Sequence, residues 1–183
     1  SDYTDGMYLP DHAVVLRADQ LTYKKLKFNE IDSRLTFKKG HIYIRLKNAD
    51  LCRITSQGYI NLKQDILFAS FPFASPDNQD VQSLLNCLLD KSDLMDGTFT
   101  LEGNLTSNSP KDTFTKQFEG DVSFIANDGR IYKLTLLSRI LSVLNVSQIF
   151  KGKIPNLVQD GFEYKTITIA ADIKESRILL KKA

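Results

Sequence analysis

Through its first half the chain alternates apolar and polar residues with a period of two. Val14, Leu16 and Ala18 alternate with Val15, Arg17 and Asp19. Leu26 and Phe28 alternate with Lys25, Lys27 and Asn29, and after Ile31 the phase shifts so that Leu35 and Phe37 carry the apolar side. Past a turn at Lys39-Gly40, Ile42, Ile44 and Leu46 alternate with Tyr43, Arg45 and Lys47. Such alternation predicts strands with one apolar and one wet face. Short polar breaks between them predict an antiparallel meander. The rhythm is less clean from Ala49 to Leu67, with a turn expected near Ser56-Gln57-Gly58 and a strand through Tyr59, Ile60 and Leu62. Phe68 to Phe73 is apolar but holds Pro72, which predicts an edge strand or a loop covering the core.

The period then lengthens. Ser75-Pro76-Asp77 reads as a helix start, and Val81, Leu84, Leu85 and Leu88 follow at helical spacing, so a helix is predicted to end near Asp90. Asp96-Gly97 opens a strand carrying Phe99 and Leu101. Ser109-Pro110 resembles an N-cap followed by proline at the first helical position, predicting a short helix through Phe114 and Phe118 that ends at Gly120. Val122, Phe124 and Ala126 share one strand face, and Asn127-Asp128-Gly129 reads as a turn. Leu134, Leu137, Leu141 and Leu144 form a helical stripe. Ile167, Ile169, Ala171 and Ile173 alternate in a long strand, Glu175-Ser176 turns the chain, and Ile178 and Leu180 finish it. The expected fold is α+β: a mainly antiparallel, curled β-sheet meander with two or three short helices packed on it or capping it. Residues 1–11 read as a flexible lead-in and residues 12–183 as a single domain.

Composition narrows the function classes. A chain of 183 residues supports one domain burying roughly 70% of its unfolded surface. The 24 basic and 22 acidic residues leave a net charge of +2, which is no footprint for nucleic acid. The basic runs Lys24-Lys25-Leu26-Lys27, Lys38-Lys39 and Lys181-Lys182 read as solvated strand ends and a tail. The most apolar stretch, Ile131 to Phe150, is interrupted by Lys133, Ser138, Arg139, Ser142 and Asn145, short of the roughly 18 apolar residues that a span requires. No membrane span is expected within this chain. It does not begin with Met, so it is expected to be part of a longer protein with its targeting segment upstream.

The search for reactive chemistry yields no catalytic residue. Gly-x-Ser-x-Gly, a phosphate-cradling glycine loop and His-Glu-x-x-His are all missing from the sequence. The two histidines, His12 and His41, stand at strand starts, and Asp96 and Asp128 precede glycines as turn residues do. No metal site and no cofactor are expected. Spacing alone leaves open whether Cys52 and Cys87 pair; a bridge would close a loop of about 36 residues and contribute roughly 4 kcal/mol.

One stretch carries a likeness. Phe-Glu-Gly-Asp-Val-Ser-Phe-Ile-Ala-Asn-Asp-Gly-Arg-Ile-Tyr-Lys, from Phe118 to Lys133, resembles the C-terminal region of AsmA-like proteins. Leu137-Ser-Arg-Ile-Leu-Ser-Val-Leu-Asn145, Lys153-Ile-Pro155 and Gly161-Phe-Glu-Tyr164 are similar to it too, and the likeness spans residues 95–182. It implies a non-enzymatic periplasmic domain of a Gram-negative bacterium, in a parent protein anchored in the inner membrane. The implied role is phospholipid transport or outer-membrane assembly and homeostasis. An oxidising compartment favours a bridge, so Cys52 and Cys87 are expected within bonding reach.

A sheet with one apolar face can shelter acyl chains, at roughly 0.8 kcal/mol per buried methylene, without any reactive group. The expected groove residues are Ile42, Ile44, Leu46, Phe99, Leu101, Val122, Phe124, Ile167 and Ile169. The expected partner is phospholipid or an envelope protein, with no nucleic acid. Two other readings compete: a docking module that binds an envelope protein, and a hydrolase of envelope polymers, which would require a cleft with convergent titratable groups.

Overall fold

The structure, a computed structural model, describes residues 12–38, 40–133 and 161–181. Its strands are β1 (His12–Tyr23), β2 (Leu26–Lys38), β3 (His41–Leu51), β4 (Ile54–Lys63), β5 (Ile66–Ala74), β6 (Gln79–Asp80), β7 (Thr98–Pro110), β8 (Glu119–Ile131), β9 (Phe162–Lys174) and β10 (Arg177–Leu180). They form one antiparallel sheet in the order β1-β2-β3-β4-β5-β7-β8-β9-β10, and the short β6 pairs with the start of β7 where β5 has ended. The meander follows from short reversals. Lys24, Cys52, Arg53, Gln64, Glu175 and Ser176 all adopt the left-handed conformation that tight hairpins demand.

The expected α+β class is corrected: the fold is all-β, with one α-helix among the described residues, α1 (Val81–Leu89). That helix starts at Asp80 rather than at Ser75-Pro76. The Asp80 carboxylate accepts from the Ser83 N–H at 2.7 Å. It ends where Asp90 turns left-handed and its N–H reaches the Asn86 carbonyl at 2.9 Å.

The helix expected after Ser109-Pro110 is the end of β7, followed by a single 3₁₀ turn at Phe114–Lys116. Pairing with β5 outweighs the local capping signal. Lys111 donates to the Asp65 carbonyl at 3.0 Å, so the proline nitrogen faces the other side. On that side the pairing with β8 has already stopped at Thr106–Glu119, and no N–H is missed. The leucine stripe from Leu134 to Leu144 lies outside the described residues.

Three turn and edge expectations also change. Asn127-Asp128-Gly129 does not reverse the chain; β8 runs through it, paired with β9 on both sides. Asp128 takes a positive φ of 48°, and the glycine is required by proximity, because a Cβ at Gly129 would lie 2.1 Å from the Asp96 carbonyl oxygen. The reversal expected at Ser56-Gln57-Gly58 falls instead at Cys52-Arg53. Finally β5 is an internal strand despite Pro72. Its pairs with β4 pass from Ser56–Phe73 to Tyr59–Ser70, and the Ser56 hydroxyl donates to the Pro72 carbonyl at 3.0 Å within that gap.

The core is lopsided. Val81 and Leu84 of α1 press on Met95, Phe99, Ala126, Ile131, Tyr164 and Ile167, with Cys52, Ile54, Leu101, Phe124 and Ile169 packed around them. Leu85 and Phe162 pack against it as well, whereas among the described residues the apolar side chains of β1–β5 other than Ile54 lie outside that cluster.

The Asp80 cap allows a first test. Hydrogen bonding from the Ser83 side chain, opposed by partial burial and helped by the Ser83 and Gln82 backbone, holds its carboxyl below the ordinary aspartate value of 3.8. A lowered folded-state pKa means stabilisation present above 3.8 and lost as the pH falls through the lowered value. Asp80→Ala is expected to cost about 1 kcal/mol at neutral pH. The difference from the parent protein should shrink in acid, as read from urea midpoints across the pH range.

Candidate functional site

Register places the alternating apolar residues on one face in continuous rows. Val14, Leu35, Ile44, Ile60 and Ala69 are successive cross-strand partners from β1 to β5. Beside them run Phe37, Ile42, Leu62 and Leu67. Toward the other end, Phe71 meets Leu105, then come Gly103, Val122 and Ala171, then Leu101, Phe124 and Ile169, then Phe99, Ala126 and Ile167. Chain directions alternate and side chains alternate with them, so every strand contributes its odd or its even positions to this surface.

All nine expected groove residues lie on this face, in two different settings. Ile42, Ile44 and Leu46 are half-buried on β3, and the core cluster around α1 does not include them. Val122 is also half-buried, midway along the sheet. Phe99 and Ile167 are 1% and 5% exposed beneath α1, and Leu101, Phe124 and Ile169 pack against that cluster. The Phe124 ring stacks on Phe99 with centroids 5.7 Å apart. Among the described residues the face therefore has a filled end at β7–β9 and a half-exposed floor over β2–β5. Leu35, Phe37, Ile60, Leu62 and Leu67 complete that floor. Their period-2 signal was present in the sequence, but only the register shows them beside Ile44.

Two features fix the filled end. A disulfide joins Cys52, in the β3–β4 turn, to Cys87 of α1, with the Cα atoms 5.8 Å apart. It ties the helix to the strands that begin the open floor. The second feature is Asp96. Its carboxylate accepts from the Arg130 N–H at 2.5 Å and the Tyr132 hydroxyl at 2.5 Å, and its carbonyl accepts from the Tyr164 hydroxyl at 2.6 Å. These donors are 34, 36 and 68 residues away in sequence, so no local pattern could have revealed them.

The bond to Asp96, with some burial, raises the Tyr132 hydroxyl above its usual value. Burial, then the nearby charges of Asp96 and Asp128, pushes Tyr164 up to about 12. Both phenols thus stay protonated and donate. With each of its oxygens engaged, Asp96 clamps the segment that leads into β7 to β8 and β9.

Two open recesses also exist among the described residues. One lies among Asp96, Arg130, Glu163 and Lys165, the other among Thr106, Thr113, Glu119 and Arg177, and both are polar. No residue of β2–β5 lines either recess. No described helix is long and apolar enough to cross a membrane. Among the described residues no group of His, Cys, Asp and Glu side chains is placed to hold a metal ion. No family model matches the chain, and no relative was found among curated proteins or solved structures.

Proposed function

We propose that this chain is a non-enzymatic lipid-handling domain, AsmA-like in kind, whose apolar sheet face shelters acyl chains in phospholipid transport or outer-membrane maintenance. The observation that carries the reading is the half-exposed floor over β2–β5, continuous with a core that, among the described residues, fills the far end. Such a surface favours an apolar ligand in proportion to the area it removes from water. The Cys52–Cys87 bridge supports an oxidising compartment, and the periplasm is the one that the resemblance of Phe118 to Lys133 implies.

The test is mass spectrometry of solvent extracts from protein purified out of a bacterial envelope. Phospholipid is expected to accompany the parent protein and to be lost from an Ile44→Asp/Ile60→Asp variant that still melts cooperatively. A parent protein free of lipid would overturn the reading.

The docking alternative has its own observation. Among the described residues strand β1 is an edge of the sheet, on which Val14, Val15 and Leu16 are each 50–51% exposed, so apolar side chains stand on either side of it. An unpaired apolar edge invites a further strand. A Val15→Lys variant that keeps its lipid but loses an envelope protein partner would favour docking at this edge.

A further inference from the structure

The other face of the same strands is basic. Arg34 of β2 stands directly opposite Arg45 of β3, and His41 stands between Lys38 and Lys63 two rows farther along the same face, past the row of Thr36, Tyr43 and Asn61. Like charges placed opposite one another destabilise a sheet. Arg34, Lys38, Arg45 and Lys63 are exposed and form no ion pair among the described residues. The acids near this face are few, and none of them pairs with these four cations among the described residues. Asp32 is 3.8 Å from Arg17, Asp65 is 2.9 Å from Lys111, and Asp19 and Glu30 lie farther along β1 and β2. Among the cations are aromatic and apolar side chains: Tyr43 and Tyr59 are 38% and 41% exposed, and Ile66 and Phe68 on β5 are 37% and 39% exposed.

We propose that this face seats the domain on an anionic bilayer, with Arg34, Arg45, Lys38 and Lys63 against negatively charged phospholipid headgroups. Charge complementarity names the sign of the partner. The companions name its kind, because tyrosine, phenylalanine and isoleucine beside lysine and arginine make a surface that lies at the headgroup boundary. Nucleic acid fits less well. The two tyrosine rings stack on each other with centroids 6.1 Å apart, which occupies ring faces that unpaired bases would need. The proposal does not rest on the lipid trough, which lies on the opposite side of the sheet. Together, however, the two faces would hold the trough beside its source of lipid.

Sedimentation of the full chain with vesicles tests it. Binding is expected to vesicles containing phosphatidylglycerol and not to pure phosphatidylcholine, and it should fall as salt screens the contact. An Arg34→Gln/Arg45→Gln/Lys63→Gln variant is expected to bind on the order of a hundredfold more weakly. A Lys174→Gln/Arg177→Gln control at the far end of the sheet should bind as the parent does. The salt dependence of the parent keeps the test valid if the triple variant folds poorly. The proposal is overturned if the parent ignores anionic vesicles, binds both vesicle types alike, or is unaffected by the triple substitution. Tighter binding to an oligonucleotide through the same three residues would replace the membrane by nucleic acid.

Discussion

Removing the Cys52–Cys87 bridge in a Cys52→Ser/Cys87→Ser variant is expected to lower the unfolding free energy by about 4 kcal/mol. The bridge spans 35 residues of sequence, and the denatured chain gains the freedom that closing this loop had removed. The folded side of the balance points the same way. Helix α1 has nine residues, too few to persist alone, and it buries only Val81 and Leu84. Leu88 and Leu89 are 38% and 56% exposed, so apolar contact holds one flank of the helix while the bridge holds the other. Urea denaturation of both proteins, with thiols counted under denaturing, non-reducing conditions, measures the effect. Two reactive thiols in the parent, or a loss well under about 1 kcal/mol, would show that α1 is held without the bridge.

The meander itself was legible because each hairpin is local. Alternation set the faces of β1, β2, β3 and β9, and short polar breaks set the order of the first strands. What failed was local chemistry that a neighbouring strand overrode. Ser109-Pro110 carries a helix-start signature, yet β5 lies alongside and Ser109 ends up 2% exposed opposite Leu67. Asp128-Gly129 carries a turn signature, yet the strand absorbs the positive φ of Asp128 because β9 pairs with it before and after that residue, while Asp96 bonds Arg130 on the other side. Pro72 argued for an edge, but a single interruption in the β4–β5 ladder accommodates it inside the sheet. The Asp96 clamp was invisible for a different reason: its partners come together only after three strands have paired. The candidate site falls between these cases. Membership of the apolar face could be read from the period, whereas the division into filled and open parts depends on where α1 lands.

That division predicts unequal costs for similar truncations. Phe99→Ala is expected to destabilise by about 3–5 kcal/mol, since the ring is 1% exposed, is stacked on Phe124 and leaves a cavity under α1 that its neighbours cannot close. Ile44→Ala removes a side chain that is only half-buried and leaves no enclosed void, so about 1 kcal/mol is expected. The contrast separates a core from a trough. If Ile44→Ala cost as much as Phe99→Ala, its surroundings would have to be filled by the protein itself, and no acyl chain could lie there. If the costs differ as expected, added phospholipid should stabilise the parent by an amount set by its concentration over its dissociation constant. Ile44→Asp should abolish that increment, because a charge on the floor repels the tail. Phe99→Ala should keep it, because Phe99 lies beneath the plug.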